Sequence, residues 1–376
     1  MENIKVIVIF GTRPEAIKMA PLIKELEKSS QIQCTVCVTA QHREILDQVL
    51  EIFRIVPQYD LNIMKAKQSL TGITCSVLQG LEEVFEKEQP DIVLVHGDTT
   101  TTFAASLAAF YRKIPVGHVE AGLRSHNKFF PYPEEINRKL TGSLADLHFA
   151  PTTTSKENLL REGIEESTIF VTGNTVIDAM KFTIKEKYIF ENCELNEIDY
   201  ENKKVIMVTA HRRENWGPGI ENICNALKII ACENQDVEVL YLVHPNPVVK
   251  DMVYSILKGV SRIHLLKPID TKEIHNLIKK CYLVMTDSGG IQEEAPHLGK
   301  PVLVLRQVTE RVEAERAGTV KLVGTDIDEI VLNANNLIRN EDEYNHMSKS
   351  INPYGDGNAS AKIVDALVDY FDKDKK

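Results

Sequence analysis

Leu283-Val284-Met285-Thr286-Asp287-Ser288-Gly289-Gly290-Ile291-Gln292-Glu293-Glu294 reads as an apolar strand, a turn of small residues and the opening of a helix. Glycine lets backbone approach a ligand closely, and the free N–H groups of a helix start favour an anion. Glu294, one turn into that helix, is placed to accept hydrogen bonds from two ribose hydroxyls, as an acidic residue does in other nucleotide folds. A tight turn with a solvated helix face is the plainer reading of the same residues.

The same grammar recurs along the chain. Strand-like runs at 5–10, 35–39, 91–95, 115–119, 147–150 and 169–171 alternate with helical patterns at 15–28, 70–88 and 102–111. After a charge-rich stretch from about 181 to 204 the pattern restarts with 205–209, 237–243, 263–266, 283–286, 301–305 and 320–322. Alternation of this kind predicts parallel strands joined by right-handed crossovers, hence two doubly wound Rossmann-like α/β domains in tandem. Ligands of such sheets bind beyond the strand carboxyl ends, so a cleft between the domains is the expected site. A last helical pattern, 360–371, follows the turn residues Asn352-Pro353-Tyr354-Gly355-Asp356-Gly357.

The bulk figures narrow the classes. With 376 residues, 54 acidic against 44 basic side chains and a net charge of −10, the chain lacks the basic balance of a nucleic-acid or anionic-membrane binder. Met1-Glu2-Asn3-Ile4-Lys5 leads directly into an apolar strand without the long apolar stretch of a signal peptide, which predicts a cytoplasmic protein. Of the seven cysteines only Cys34 and Cys37 are close, and three residues along a strand put them on opposite faces. They are expected to be structural, neither redox pair nor zinc site.

Charged and polar side chains gather where strands end. Gly11-Thr12-Arg13-Pro14-Glu15-Ala16-Ile17-Lys18 places Pro14 at a helix start, with Arg13 and Lys18 as phosphate partners or plain surface charges. His96-Gly97-Asp98 and His118-Val119-Glu120 are i, i+2 pairs that project to one side of the sheet. They suit either a metal or packed histidines with the carboxylates turned outward as acid and base; the metal-free reading is favoured, because a tighter ligand motif is missing. Glu134 and Arg138 are i, i+4 and can pair on one helix face, either as a plain surface contact or, if that face lines the cleft, as a charged acid/base beside a cation. In the second half His211 and His244 follow strands, and His211 is the better diphosphate partner. Neither Gly-x-Gly-x-x-Gly nor a P-loop is present, so no nicotinamide cofactor and no phosphoryl-transfer cradle is expected.

Taken together, the motifs at 10–18, 95–100, 117–124, 133–138, 172–175, 287–295 and 352–357 resemble the non-hydrolysing UDP-N-acetylglucosamine 2-epimerases along essentially the whole chain. The resemblance implies a GT-B-like fold, with residues 1–172 and 359–376 in an N-terminal domain closed by the last helix and 173–358 in a nucleotide-binding domain. It implies UDP contacts from Arg13, His211, Ser288, Gly289, Gly290, Glu294 and Arg311, and catalysis by Lys18, Asp98, Glu120, Glu134, Arg138 and His211. It also implies a homodimer, no metal or cofactor, and a precursor role in cell-surface polysaccharide synthesis. A second UDP-N-acetylglucosamine as allosteric activator would correspond to Gln41, Arg43 and His244. The segment 306–313 departs from the family pattern: it lacks the Asp-Thr pair before Thr309-Glu310-Arg311 and has Val312 where Pro is usual. Losing Pro frees φ, which predicts a looser loop around Arg311.

The expected chemistry follows from the substrate. Its carbon-2 hydrogen is not next to a carbonyl, so simple abstraction and return is too slow. Elimination of UDP, giving a 2-acetamidoglucal, then re-addition from the other face answers this, with Asp98, Glu120 and Glu134 sharing the acid and base roles. The two domains are expected to close around the intermediate. A GT-B glycosyltransferase, a hydrolysing 2-epimerase and a catalytically silent nucleotide-sugar sensor are the alternatives.

Overall fold

A computed structural model describes residues 3–40, 43–64, 68–309 and 311–373, the side chains of 43–45 and 373 excepted. The chain divides into two compact units, Met1–Phe182 with Tyr354–Lys376, and Thr183–Pro353.

The first unit holds a seven-stranded parallel sheet of β1 (Ile4–Phe10), β2 (Ile32–Val38), β3 (Tyr59–Asp60), β4 (Ile92–His96), β5 (Val116–Val119), β6 (Leu147–Ala150) and β7 (Ile169–Val171), ordered 3-2-1-4-5-6-7. The order reverses between β1 and β4, which directs their carboxyl ends to either side of one crevice. Both faces are covered, as parallel sheets require. Val6, Val8 and Phe10 pack into one apolar cluster with the helices Arg13–Leu26 and Ala359–Lys373, while Ile7 and Ile9 pack into another beneath Leu70–Glu88 and Thr100–Tyr111. Cys34 packs toward the first cluster and Cys37 lies in the second, on opposite faces as their spacing requires. Each fully buried Ile or Leu contributes roughly 1.5–3 kcal/mol.

The second unit repeats the plan with β8 (Lys204–Thr209), β9 (Val237–Leu242), β10 (Ile263–Leu266), β11 (Leu283–Thr286), β12 (Val302–Val304) and β13 (Val320–Leu322), ordered 10-9-8-11-12-13. Its switch falls between β8 and β11, the strands that precede His211 and Ser288.

The divisions fall at 182/183 and 353/354 rather than at 172/173 and 358/359. Hydrogen bonds stitch the two passages into the first unit. Asn174 donates its N–H to Tyr354 O at 2.7 Å, and Asp178 accepts the N–H groups of Ala359 and Ser360 at 3.1 and 2.8 Å. Phe182 sits 5.6 Å from Phe53. Among the described residues no helix is long and apolar enough to cross a membrane.

Candidate active site

After β1 the backbone passes through Gly11, where a Cβ would meet Thr39 Oγ1 at 2.1 Å and Thr101 Oγ1 at 2.8 Å. Only glycine fits so close an approach. The helix Arg13–Leu26 then starts with Glu15 folded back: its Oε2 accepts the N–H groups of Gly11 and Thr12 at 3.0 and 2.7 Å. Its Oε1 accepts the Thr99 hydroxyl at 2.6 Å and lies 3.0 Å from that of Thr102, which reaches His96 O at 2.5 Å. Burial raises the Glu15 pKa against these hydrogen bonds, which lower it. One buried carboxyl thus ties the Arg13 turn to the Asp98 loop. The Thr-x-x-Glu spacing of a capping box was the available signal for it.

Lys18, on the first turns of the same helix, ion-pairs with Glu120, whose side chain is 8% exposed. Glu120 caps β5 with φ +62°, a left-handed conformation that non-glycine residues rarely adopt. Asn174 donates its Nδ2–H to Glu120 Oε2 at 2.8 Å, and His96 Nε2 lies 3.7 Å from the same oxygen. Strain of this kind persists only where the surroundings over-determine it, as these contacts do. His96 and His118 are fully enclosed, and burial drives them down to about 4 and about 3. Both are packed side chains held neutral by their burial. His118 Nε2–H donates to Gly97 O at 2.7 Å.

Asp98 follows Gly97, where a Cβ would be 3.8 Å from Glu120 Oε1. Arg138 bonds it through Nε at 2.8 Å and Nη2 at 2.6 Å. Arg138 also contacts Glu135 at 3.2 Å, and Asn137 donates to Asp98 O at 2.9 Å. The expected Glu134–Arg138 pair is therefore corrected: the guanidinium turns to Asp98 and to Glu135. Glu135 is buried and fixes the preceding loop by accepting Ser125 N–H and His126 N–H at 2.9 and 3.0 Å. Glu134 Oε2 is buried without a hydrogen bond among the described residues.

In the second unit the Gly289–His297 helix begins at Ser288, whose N–H donates to Thr286 Oγ1 at 2.9 Å. Arg311 lies over that helix start: a Cβ on Gly289 would come within 3.0 Å of its Cζ. Buried Glu293 Oε1 holds Nε at 3.0 Å and Nη2 at 2.9 Å, and Thr309 Oγ1 accepts the Arg311 N–H at 3.1 Å. These bonds hold Arg311 over the helix start. Glu294 Oε2 sits 3.4 Å from His275 Nε2, and His275 Nδ1 is 2.6 Å from Thr183 Oγ1.

His211 follows β8 and stacks on His244, ring centroids 5.1 Å apart and planes at 12°. Burial lowers its pKa, while Asp287 acts in the other direction. Of the three residues expected at a second nucleotide-sugar site, Gln41 lies outside the described residues, as does the side chain of Arg43; His244 is the one placed here.

A sequence profile described as UDP-N-acetylglucosamine 2-epimerase matches residues 24–368. A Clostridium acetobutylicum relative is 69% identical over 371 residues, 99% of this chain and 96% of its own. The UDP-N-acetylglucosamine 2-epimerase of Bacillus subtilis is 53% identical over 371 residues, 99% of this chain and 97% of that one. The crystal structure of UDP-GlcNAc 2-epimerase from Neisseria meningitidis bound to UDP-GlcNAc matches with a TM-score of 0.88 at 51% identity, covering 97% of this chain and 100% of that one. The chain belongs to the UDP-N-acetylglucosamine 2-epimerase family.

Proposed function

We propose that the chain interconverts UDP-N-acetylglucosamine and UDP-N-acetylmannosamine without hydrolysis, feeding a cell-surface polysaccharide. The observation that carries this reading is the convergence of Lys18, Asn174 and His96 on one oxygen of Glu120, beside an Asp98 held by Arg138. Inversion needs proton transfer on both faces of the sugar, and two differently partnered carboxylates supply it.

In the elimination, the bond from carbon 1 to the β-phosphate oxygen breaks and its electron pair leaves with UDP. The carbon-2 proton passes to a carboxylate, and the C–H electrons form the double bond of the glucal. Re-addition reverses both events, with the proton delivered to the other face. Asp98, Glu120 and Glu134 share these transfers, while Lys18 and Arg138 hold two of them in charge-paired positions. Charge growing on the diphosphate meets Arg13, His211, Arg311 and the N–H groups of Ser288, Gly289 and Gly290, and Glu294 receives the ribose hydroxyls. A homodimer, and an activating second substrate molecule near His244, belong to the same reading.

Proton NMR of UDP-N-acetylglucosamine with the protein in heavy water tests it. The mannosamine epimer is expected to appear with deuterium at carbon 2. Epimer formed with its original hydrogen retained, or free UDP released in step with free sugar, overturns the proposal.

A further inference from the structure

Asp287 ends the strand run of β11 with its side chain fully buried. Oδ2 accepts three N–H groups: His211 N at 2.8 Å, Arg212 N at 2.8 Å and Asn215 Nδ2 at 3.0 Å. All three partners are donors, so this oxygen can only accept. Oδ1 has no hydrogen bond among the described residues, although it is shut away from solvent. It lies 3.5 Å from His211 Nδ1. A buried acceptor left unsatisfied is costly, and the imidazole N–H is the donor within reach.

Three other features fix the ring. His244 stacks on its face, and the Asn246 N–H donates to His244 Nδ1 at 3.1 Å, so neutral His244 carries its hydrogen on Nε2. The His211 carbonyl accepts the Trp216 Nε1–H at 3.1 Å, which pins the backbone from the other side. The imidazole thus has one nitrogen turned to an enclosed carboxylate, while the side chain as a whole remains partly open.

We propose that Asp287 is the positioning residue of His211: it accepts the hydrogen on Nδ1, so that Nε2 faces the diphosphate, takes a proton from solvent as UDP binds, donates that N–H to the leaving group and gives the proton back to solvent when UDP departs. This rests on the reading of His211 as a diphosphate partner. It gives the Asp287-Ser288-Gly289-Gly290 motif two jobs. Its glycines open an anion site, and its aspartate sets the tautomer of a histidine from a different strand. A carboxylate orienting a proton-transfer histidine in this way is a recurrent chemical solution.

The substitution Asp287→Asn tests the idea with almost no change of shape. The amide oxygen must take the place where three N–H groups converge, which turns the amide NH2 toward His211 Nδ1. That nitrogen must then accept, and the hydrogen moves to Nε2. Two-bond proton–nitrogen correlation spectra of protein labelled with nitrogen-15 in histidine distinguish the tautomers, with His211→Gln identifying the signals. The wild type is expected to show His211 with Nδ1 protonated, and Asp287→Asn with Nε2 protonated. Turnover of the variant is expected to fall about 100-fold or more, since an Nδ1 that faces an amide NH2 cannot carry a hydrogen and the imidazole cannot become the cation that meets the leaving group's charge, whereas UDP affinity changes by less than about threefold because an Nε2–H donates to UDP in both proteins. A wild-type His211 protonated on Nε2 overturns the proposal whether or not the variant folds, as does a tautomer unaltered by the substitution. Absence of epimerisation by the wild type would end the functional reading but leaves the tautomer measurement decisive on its own.

Discussion

Arg138 grips a single oxygen of Asp98, with Nε at 2.8 Å and Nη2 at 2.6 Å from Oδ2. The side chains are 40 residues apart in sequence, and the pair engages only one of the two carboxylate oxygens. Glu120 Oε2 is likewise approached by Lys18, Asn174 and His96. The Asp98 carboxylate is therefore anchored by one oxygen, while its other oxygen keeps acceptor capacity.

Removing the charge while keeping the shape separates chemistry from binding. Asp98→Asn and Glu120→Gln are each expected to lower turnover by about 100-fold or more, the usual size for acid–base groups. UDP affinity, measured by calorimetry, should stay within about threefold, because the proposed nucleotide contacts lie on other residues. Near-normal turnover in both variants removes the assignment.

Glu293 offers a test of the nucleotide side. Glu293→Ala leaves the Arg311 guanidinium without the carboxylate that holds it over Gly289. UDP affinity is expected to weaken about tenfold, equivalent to about 1.4 kcal/mol. Equal UDP affinity in variant and wild type would show that Arg311 does not depend on this anchor.

Glu15 is expected to matter through stability. Glu15→Ala strands the buried N–H groups of Gly11 and Thr12 and should cost about 2–4 kcal/mol. Glu15→Gln keeps an acceptor for both N–H groups and presents its NH2 to the two threonine hydroxyls. Its cost should be less than about half as large. Urea midpoints of the two variants check the order.

Acid sensitivity should trace to the enclosed histidines. His96 and His118 stay neutral in the fold down to about 4 and about 3, whereas in the unfolded chain they protonate near 6.5. As pH falls below 6.5 the unfolded state binds protons that the fold refuses, so stability is lost on acidification until the folded pKa values are reached. Each histidine adds a slope of up to about 1.4 kcal/mol per pH unit in that window. His118→Gln retains a donor for Gly97 O and is expected to flatten the curve between pH 6 and pH 4 by about one such slope. An unchanged slope would show that His118 is not buried neutral.

Much of this architecture was legible because strand-end chemistry is local. A β-branched run followed by Thr-Asp-Ser-Gly-Gly, or by Gly-Thr-Arg-Pro-Glu, announces a strand, a turn and a helix start within a dozen residues. The partners of the site side chains were not legible in the same way. Glu134 and Glu135 are adjacent and chemically alike, and only the tertiary path of the 125–126 loop buries Glu135 and leaves it to hold Arg138. Helix spacing offered Glu134 to Arg138, but a contact across 40 residues prevailed. Asn174 and the anchoring half of Asp287 were invisible for the same reason, since their partners lie 54 and 76 residues away. The boundary near 172 missed Phe182 because a turn motif marks a break in the chain and carries no information on which core receives the next helix.

The return of the chain at Tyr354 bears on how the protein is made. Tyr354 O receives the Asn174 N–H, and the side chain of the same asparagine steadies Glu120, while Ile363 and Leu367 fill the core under β1. On the ribosome the whole of the second unit emerges before these residues do. A nascent chain halted just short of Tyr354 would carry all the side chains proposed for the proton transfers, yet it would lack the backbone acceptor that settles Asn174 against Glu120. Maturation of the proposed catalytic centre is, in that sense, written into residues that follow the entire second unit along the chain.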